Sequence, residues 1–309
     1  MAHAANPEQL LPVGTILEGN KYHYRLGTHL GQGGFGVTYM ALELETGRQT
    51  AVKEYFPTRC CRRGADGTVE PLAGQEEIYE GGRYHFVEEA RMLANLEGLP
   101  AVVQGIDYLE TNNTAYLVME YLDGTPLYRL VNDRGRIPAG ELLPRLKPLL
   151  VDVGKLHAAG VIHRDISPDN VMWMNDGRLK LLDFGCARSM EDGKSMTVLL
   201  KHGFAPVEQY QTHGQGPWTD VYALAATVYH SLTGVVPPTS SERLLDDTLR
   251  PPTALGAELT AEQESALLWG LAVRPKERPA DMAAFCARLF PEPAPLSFWQ
   301  RLKRLFKRV

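Results

Sequence analysis

The most diagnostic parts of the sequence are HRDISPDN at 163–170 and DFG at 183–185. Within them, Asp165 is a carboxylate that can accept the proton of an attacking hydroxyl. Asn170 and Asp183 bring an amide oxygen and a second carboxylate, which are the hard oxygen ligands that Mg²⁺ prefers. Because this order and interval suit phosphoryl transfer, we expect the three side chains to meet on one nucleotide.

Upstream, the segment GQGGFG fits GxGxxG and lies between two predicted strands. A Rossmann site needs a helix directly after such a motif, whereas VTYMALEL continues as a strand, so the sequence disfavours dinucleotide binding. On its own the motif is more often a simple turn. The residues expected to approach phosphate oxygens are Gly31, Gly33, Gly34, Phe35 and Gly36.

The next charged candidates are Lys53, in the strand AVK, and Glu89, on the helix that follows. A lysine beside phosphates would neutralise charge, and a carboxylate partner would hold its flexible stem. An isolated lysine on a strand and glutamate on a helix are usually solvated surface. Their position between the glycine segment and the 163–170 stretch favours a functional pair.

The pattern of apolar residues changes near Gly124. Before it, short β-branched runs predict an antiparallel sheet, interrupted by one helix over about 75–96. After it, helical periodicity dominates, and Thr260 to Gln263 has the form of a capping box. The class is therefore α+β. Pro148 lies inside a predicted helix, so we expect a late start or a bend there.

Together these motifs resemble the eukaryotic-type (Hanks-type) protein kinase family over about Tyr22 to Phe290. GGFGVTY, VKEYFP and SPDN are similar to a bacterial serine/threonine kinase subgroup whose catalytic loop reads HRDxSPDN. The resemblance implies a bilobal fold, with an ATP-binding N-lobe at 22–122 and a helical C-lobe at 123–290. A Pro-rich linker and basic tail would follow at 291–309. ATP with Mg²⁺, or alternatively Mn²⁺, is the implied nucleotide and metal.

The same resemblance assigns further roles. Met119 would be the gatekeeper beside a hinge at 120–122, and Asp220 would brace the catalytic loop. Glu208 and Arg278 resemble the buried pair that accompanies protein substrates. The implied adenine contacts are Thr38, Ala51, Glu120, Leu122 and Met172.

One departure from the family concerns charge. Most serine/threonine kinases carry lysine two positions after the catalytic aspartate, where this chain has Ser167. The loss of one electrostatic donor could be worth about 3 kcal/mol, roughly a hundredfold in rate. Lys201, just ahead of FAPVEQY, is the candidate that replaces it.

A second departure is an insertion over 54–75, which suggests a loop or small hairpin beside the regulatory helix. It is either a passive excursion or a regulatory element. Cys60 and Cys61, near Arg62 and Arg63, raise a redox sensor as a minor alternative.

Regulation is expected through the segment 186–201, which begins at Cys186 and holds Ser189, Ser195 and Thr197. In the family Arg164 would pair with a phosphate there and order the segment. We predict autophosphorylation at Thr197 or Ser195, with a dimer as one route to modification in trans.

The net charge of −5 carries no basic excess, which disfavours nucleic-acid binding. The four cysteines lack the spacing of a disulfide framework or a zinc site. The first residues carry no basic-then-apolar leader, so we expect a cytoplasmic location. Residues 298–309 are basic with helical apolar spacing, a pattern typical of a peripheral membrane contact or of docking on a protein partner. Docking of this tail on its own domain and disorder are the alternatives.

Two rival functions remain open. A pseudokinase scaffold would bind nucleotide or partners without turnover, and Ser167 is the one residue that supports it. A small-molecule phosphotransferase of similar fold generally lacks the glutamate–arginine pair represented here by Glu208 and Arg278. The protein substrate cannot be read from the chain.

Overall fold

The computed structural model describes residues 9–96, 98–184, 188–189, 201–211 and 214–291. Within these ranges the chain forms an N-terminal antiparallel sheet lobe and a helical C-terminal lobe, which confirms the predicted α+β bilobal class. In the described part of the chain, no helix has both the length and the apolar character needed to cross a bilayer.

The N-lobe is built on one six-stranded sheet in the order β1-β2-β3-β4-β8-β7, with antiparallel neighbours throughout. The elements of this lobe, in chain order, are β1 (Ile16–Glu18), β2 (His23–Gln32), β3 (Gly36–Glu43), β4 (Gln49–Tyr55), β5 (Cys61–Arg63), β6 (Val69–Pro71), α1 (Glu76–Asn95), β7 (Gly105–Thr111) and β8 (Thr114–Glu120). Residues 16–18 lie ahead of Tyr22, so the packed sheet begins before the start expected from the sequence.

Helix α1 matches the predicted helix at 75–96 to within one residue at each end. Phe86, Ala90 and Leu93 are buried in the N-lobe core, as their helical spacing predicts. Gly82 allows the close approach of this helix to β4, because a Cβ there would lie 2.0 Å from the Tyr55 Oη atom. The helix is therefore seated against β4, the strand that also carries Lys53.

The insertion forms a hairpin, with β5 paired to β6. Its residues Cys61 and Val69 are buried, and the Val69 N–H donates to Asn112 O at 2.8 Å. The hairpin thus packs on the lobe instead of projecting into solvent.

An ion pair fixes the hairpin to the sheet. Arg63 Nη2 lies 2.6 Å from Glu54 Oε2, and both side chains are almost completely buried. The Glu54 carboxylate also accepts hydrogen bonds from Tyr39 Oη at 3.0 Å and Tyr116 Oη at 2.9 Å. Arg63 further donates to Gln9 O at 2.9 Å. Such a pair is tolerated in the interior because its remaining polar atoms are also hydrogen-bonded.

The C-lobe surrounds helix α4, most of whose residues are buried. Its elements are β9 (Gly124–Pro126), α2 (Leu127–Arg134), α3 (Ala139–Ala158), β10 (Val161–Ile162), β11 (Val171–Met174), β12 (Leu179–Leu181), β13 (Arg188–Ser189), α4 (Pro217–Thr233), α5 (Ser240–Leu245), α6 (Ala261–Gly270) and α7 (Met282–Leu289). The Thr260–Gln263 capping box is confirmed, with Gln263 N donating to Thr260 Oγ1 at 3.2 Å.

The expected late start of the helix around Pro148 is wrong. Helix α3 runs without interruption from Ala139 to Ala158 and contains both Pro144 and Pro148. Its buried face includes Leu146, Leu149 and Val153, so tertiary packing outweighs the lost backbone hydrogen bonds.

We expect Arg63→Met to lower the free energy of unfolding by about 3–5 kcal/mol, because it leaves the Glu54 carboxylate buried and unpaired. Urea denaturation followed by circular dichroism measures this. Arg62→Met is the matched control, since the neighbouring Arg62–Glu70 pair is mostly exposed and should contribute about 1 kcal/mol or less. Equal effects of the two substitutions would contradict a buried anchor.

The redox alternative for the hairpin loses its physical basis in the structure. Burial raises the pKa of the Cys60 thiol, and burial raises the pKa of Cys61 to about 12. Both thiols lie beside the Pro57 carbonyl oxygen, with Sγ–O distances of 3.6 and 3.2 Å. A reactive cysteine needs the opposite, an accessible thiolate beside positive charge.

At pH 8 a thiol with the pKa of Cys61 is ionised in about one molecule in ten thousand. We therefore expect Cys60 and Cys61 to resist iodoacetamide in the folded protein and to react in urea. Arg62→Cys places an exposed thiol in the same hairpin as a control, and it should be labelled without urea. Peptide mass spectrometry that finds the native pair alkylated as fast as this control would restore the redox hypothesis.

Candidate active site

The catalytic-loop stretch is anchored by the Asp220 carboxylate of α4. Asp220 Oδ2 accepts hydrogen bonds from the His163 backbone N–H at 2.8 Å and from His157 Nε2 at 2.9 Å. Its Oδ1 accepts from the Arg164 backbone N–H at 2.8 Å. Burial alone would raise the pKa of Asp220, but hydrogen bonds and charge from His157 and His163 hold it below its usual range.

Arg164 has a φ of +65°, a left-handed conformation that is uncommon for a side chain of this size. The two backbone hydrogen bonds to Asp220 support this turn of the chain. Strained backbone of this kind persists where the surroundings fix it, and functional sites are a common location. The turn carries Asp165 directly after it.

Asp165 and Asn170 contact each other directly. Asn170 Nδ2 donates to Asp165 Oδ2 and to Asp165 O, each at 2.8 Å. Burial raises the pKa of Asp165, Lys201 opposes that shift, and the nearby Asp183 charge adds to it. The Asn170 amide nitrogen is thus committed to Asp165, and the amide oxygen is the atom of this side chain that can act as a ligand.

Asp183 also has a positive φ, +53°, and its carboxylate forms an ion pair with Lys53. The next residue, Phe184, is fully buried and packs edge-on against His163 with ring centroids 4.6 Å apart. A hydrogen bond from Leu182 N to Asn170 O at 2.8 Å ties this strand end to the catalytic loop. The two expected metal ligands are therefore held side by side.

Lys201 reaches the same place from a distant part of the chain. Its Nζ lies 2.8 Å from Ser167 Oγ and 3.2 Å from Asp165 Oδ2. Of the residues predicted as catalytic, Asp165 and Lys201 therefore meet directly. The lysine that the family carries on the catalytic loop is absent, and an ammonium group stands beside Ser167 instead.

A pocket of about 220 Å³ opens between the lobes next to these groups. Most of the predicted nucleotide contacts share its wall, namely Thr38, Ala51, Lys53, Glu89, Met119, Glu120, Leu122, Asn170, Met172 and Asp183. Leu30, Val103, Leu117 and Leu182 also line it and were missed by sequence reasoning. The sequence gives little indication that these four residues line a pocket, because an apolar residue on a strand is equally compatible with the core.

The glycine-rich turn connects β2 and β3 at one end of the sheet. Gly33 N donates to Gly36 O at 2.9 Å, and Phe35 is exposed. A Cβ on Gly36 would lie 2.2 Å from Glu54 O, so only glycine fits the strand contact there. The wall of the pocket begins at Leu30, and the four glycines predicted to contact phosphate lie outside the set of lining residues.

Glu89 reaches the pocket from α1. Burial raises its pKa to about 7, although the positive charge of Lys53 opposes the shift. Its Oε1 atom is buried with no hydrogen-bond partner among the described residues. Lys53 makes its ion pair with Asp183, so in this conformation Glu89 influences the lysine through charge in the shared pocket.

Two further ion pairs involve residues that the family resemblance had named. Lys180 of β12 pairs with Glu120 at the end of β8, whose Oε1 also accepts from Gln104 N at 2.9 Å. Arg278 makes two parallel hydrogen bonds to Glu208 at 2.7 and 2.9 Å, as the family resemblance implied. Lys180 was not predicted, although a lysine in an otherwise apolar strand is the signal that pointed to it.

Several predicted positions lie outside the described residues. They are the DFG glycine Gly185, Cys186, Ser195 and Thr197 of the regulatory segment, and the tail at 292–309. Ser189 is described only through its backbone, as part of β13 paired with β10.

The chain is similar to known protein kinases over most of its length. The protein kinase domain family model matches residues 24–279. A probable serine/threonine-protein kinase of Streptomyces coelicolor is 29% identical over 270 residues, covering 82% of this chain. Serine/threonine-protein kinase Pkn1 of Myxococcus xanthus is 31% identical over 276 residues, covering 85% of this chain. The chain spans 37% of the length of each of these two relatives.

Among solved structures, the apo form of PpkA-294 superposes with a TM-score of 0.81 at 31% identity, covering 91% of this chain and 100% of that one. The similarity therefore extends over both lobes and includes the sheet, the catalytic loop and the helical core. By sequence and by structure, this chain belongs to the eukaryotic-type (Hanks-type) protein kinase family, in its bacterial serine/threonine kinase subgroup.

Proposed function

We propose that this chain is an ATP-dependent protein kinase that phosphorylates serine and threonine hydroxyls on proteins. The proposal rests on the hydrogen bond from Asn170 Nδ2 to Asp165 Oδ2 at 2.8 Å, and on Asp183, which lines the same pocket as Asn170. A carboxylate beside two hard oxygen ligands is the arrangement that positions an acceptor hydroxyl on a metal-bound triphosphate. The relatives' names, all protein kinases, support the same reaction class.

In the proposed reaction the acceptor oxygen forms a bond to the γ-phosphorus, and the bond from that phosphorus to the β–γ bridging oxygen breaks. ADP leaves with the electron pair of the broken bond, and Asp165 accepts the proton of the acceptor hydroxyl. Lys53 neutralises phosphate charge, and Glu89 approaches that lysine from α1. The Lys53–Asp183 ion pair holds the ammonium beside the carboxylate proposed as a metal ligand.

The residues present fit a divalent cation. Asn170 presents its amide oxygen because its nitrogen donates to Asp165, and Asp183 is an exposed carboxylate in a fixed backbone conformation. Oxygen ligands of this kind suit Mg²⁺, with Mn²⁺ as an alternative. When bound, the ion would neutralise charge on the triphosphate oxygens. Adenine would lie between Ala51 and Met172, beside the hinge at 120–122.

The two rival functions make different use of the same site. A pseudokinase would bind nucleotide without turnover, yet each acidic and amide position that turnover requires is filled here. A small-molecule phosphotransferase has no need of the Glu208–Arg278 pair, which holds the 3₁₀ turn at 207–210 onto the C-lobe. Both observations favour a kinase with a protein substrate, whose identity stays open.

Incubation of the purified chain with labelled ATP, Mg²⁺ and a general protein substrate is expected to yield phosphoserine or phosphothreonine. Asp165→Asn should lower kcat about 10²–10⁴-fold, since the acceptor loses its proton acceptor, while ATP binding persists. Asp176→Asn is the matched control, because this carboxylate is exposed and pairs with Arg178 away from the pocket. Unchanged transfer in Asp165→Asn, or phosphotyrosine as the sole product, would refute the assignment.

The same reaction tests the regulatory proposal. Autophosphorylation is expected at Thr197 or Ser195, which lie outside the described residues. Mass spectrometry of the active protein reads out both hydroxyls, and dilution of the enzyme separates modification in trans, through a dimer, from modification in cis.

A separate proposal concerns the tail at 298–309, which carries five basic residues and no acid and also lies outside the described residues. We expect the full chain to sediment with vesicles containing phosphatidylserine at low salt, and a chain ending at 297 to stay in solution. Neutral vesicles are the control. Equal sedimentation of the two chains would favour docking of the tail on a protein surface instead.

A further inference from the structure

The ammonium group of Lys201 is seated between two acceptors that belong to a different segment of the chain. Its Nζ is 2.8 Å from the Ser167 hydroxyl and 3.2 Å from the Asp165 carboxylate. Ser167 is completely buried, and Lys201 is about one-third exposed. The residues in contact stand 34 positions apart, so the seat forms only when both segments are in place.

The backbone of Lys201 is fixed by a hydrogen-bonded turn. Its carbonyl oxygen accepts from Phe204 N and Ala205 N, both at 3.0 Å. The Ser240 hydroxyl in turn donates to Ala205 O at 2.9 Å, and the Phe204 ring packs edge-on against His230 at 5.9 Å. These contacts connect the turn to α4 and α5, so Lys201 starts from a defined position.

Charge explains why an ammonium group belongs at this point. In the proposed reaction the transferred phosphoryl group passes to the hydroxyl held by Asp165, so it must come within a few ångströms of that carboxylate. Negative charge on its equatorial oxygens then develops beside Lys201, whose hydroxyl partner Ser167 is buried. Lys201 stays protonated throughout and exchanges no atoms with the substrate.

Ser167 explains why the ammonium does not simply collapse onto Asp165. A lysine side chain carries about 1.5–2 kcal/mol of rotamer entropy, and a tight ion pair with Asp165 would be its strongest single contact. The hydroxyl offers a second acceptor, and Nζ lies closer to it than to the carboxylate. Ser167 therefore shares the ammonium and leaves Asp165 available to a substrate hydroxyl.

We propose that Ser167 is the positioning residue for Lys201. We also propose that the two are exchangeable, so that an ammonium group at position 167 and a hydroxyl at position 201 would serve the same purpose. The inference rests on the proposed kinase function and deepens it. It states that the cation beside the transferred phosphoryl group comes from position 201, and that position 167 aims it.

Five proteins test this in the labelled-ATP assay: wild type, Ser167→Ala, Lys201→Ser, the exchanged double variant Ser167→Lys/Lys201→Ser, and Lys155→Met. We expect Lys201→Ser to lower kcat about a hundredfold, as removal of one electrostatic donor does. Ser167→Ala should lower kcat about tenfold, the scale of a lost hydrogen bond to a charged group. KM for ATP should stay within about twofold in both, because the cation acts on the moving phosphoryl group.

The exchanged variant should recover at least about tenfold in kcat over Lys201→Ser, because it restores one ammonium and one hydroxyl to the seat. Lys155→Met is the control for loss of a lysine, since Lys155 pairs with Asp152 outside the site. A thermal melt of each variant reports folding. Should the exchanged variant fail to fold, kcat of Ser167→Ala alone decides the inference.

Three results would overturn the proposal. Ser167→Ala with wild-type kcat would remove the positioning role, and Lys201→Ser with wild-type kcat would remove the cation. A folded exchanged variant no faster than Lys201→Ser would show that the two groups are not interchangeable. In each case wild-type turnover leaves the kinase function intact, whereas a wild type that transfers no phosphate overturns the proposed function and this inference with it.

Discussion

The active site depends on one buried carboxylate. Asp220, on the central helix of the C-lobe, accepts hydrogen bonds from two successive backbone N–H groups and one imidazole. These bonds hold a stretch of chain that includes the left-handed residue Arg164, and they fix the direction in which Asp165 and Asn170 leave it. Because the helix is itself buried on nearly all sides, the loop inherits the rigidity of the lobe's core.

Two buried arginine–glutamate ion pairs fasten connecting segments to the lobes. Arg63 and Glu54 hold the inserted hairpin, and Arg278 and Glu208 hold the 3₁₀ turn at 207–210. In both pairs the arginine also donates to backbone carbonyl oxygens, Gln9 O in the first and Val273 O in the second. A guanidinium can serve several acceptors at once, which suits a hairpin or a turn that shares no strand ladder with the main sheet of its lobe.

The sequence was informative where local pattern and chemistry coincide. Helix α1 and the Thr260 capping box were predicted from periodicity and capping signals, and Asp165, Asn170 and Asp183 from motif spacing. The residue pattern by itself did not indicate which residues far apart in the chain would form ion pairs. That Lys53 pairs with Asp183, 130 positions away, is decided by how the lobes approach each other.

The prolines in α3 show that tertiary packing can also override a local sequence rule. Local rules predict a late start or a bend near Pro148, yet α3 begins at Ala139 and a buried leucine face keeps it continuous. The Lys180–Glu120 pair could likewise not be predicted from the sequence, since it requires two residues 60 positions apart to meet in space. Only the burial of a lysine within an apolar strand hints at it, and burial is a property of the fold.

The position of Lys201 has a consequence for how this site can be moved between proteins. Its ammonium group and the loop it contacts are separate pieces of sequence, joined only through space. A catalytic loop reading HRDISPDN, grafted alone into a relative, would arrive with a serine where the recipient's own lysine stood and with no second cation to face it. Chimeras between this chain and kinases that carry the loop lysine must therefore exchange both segments as one unit.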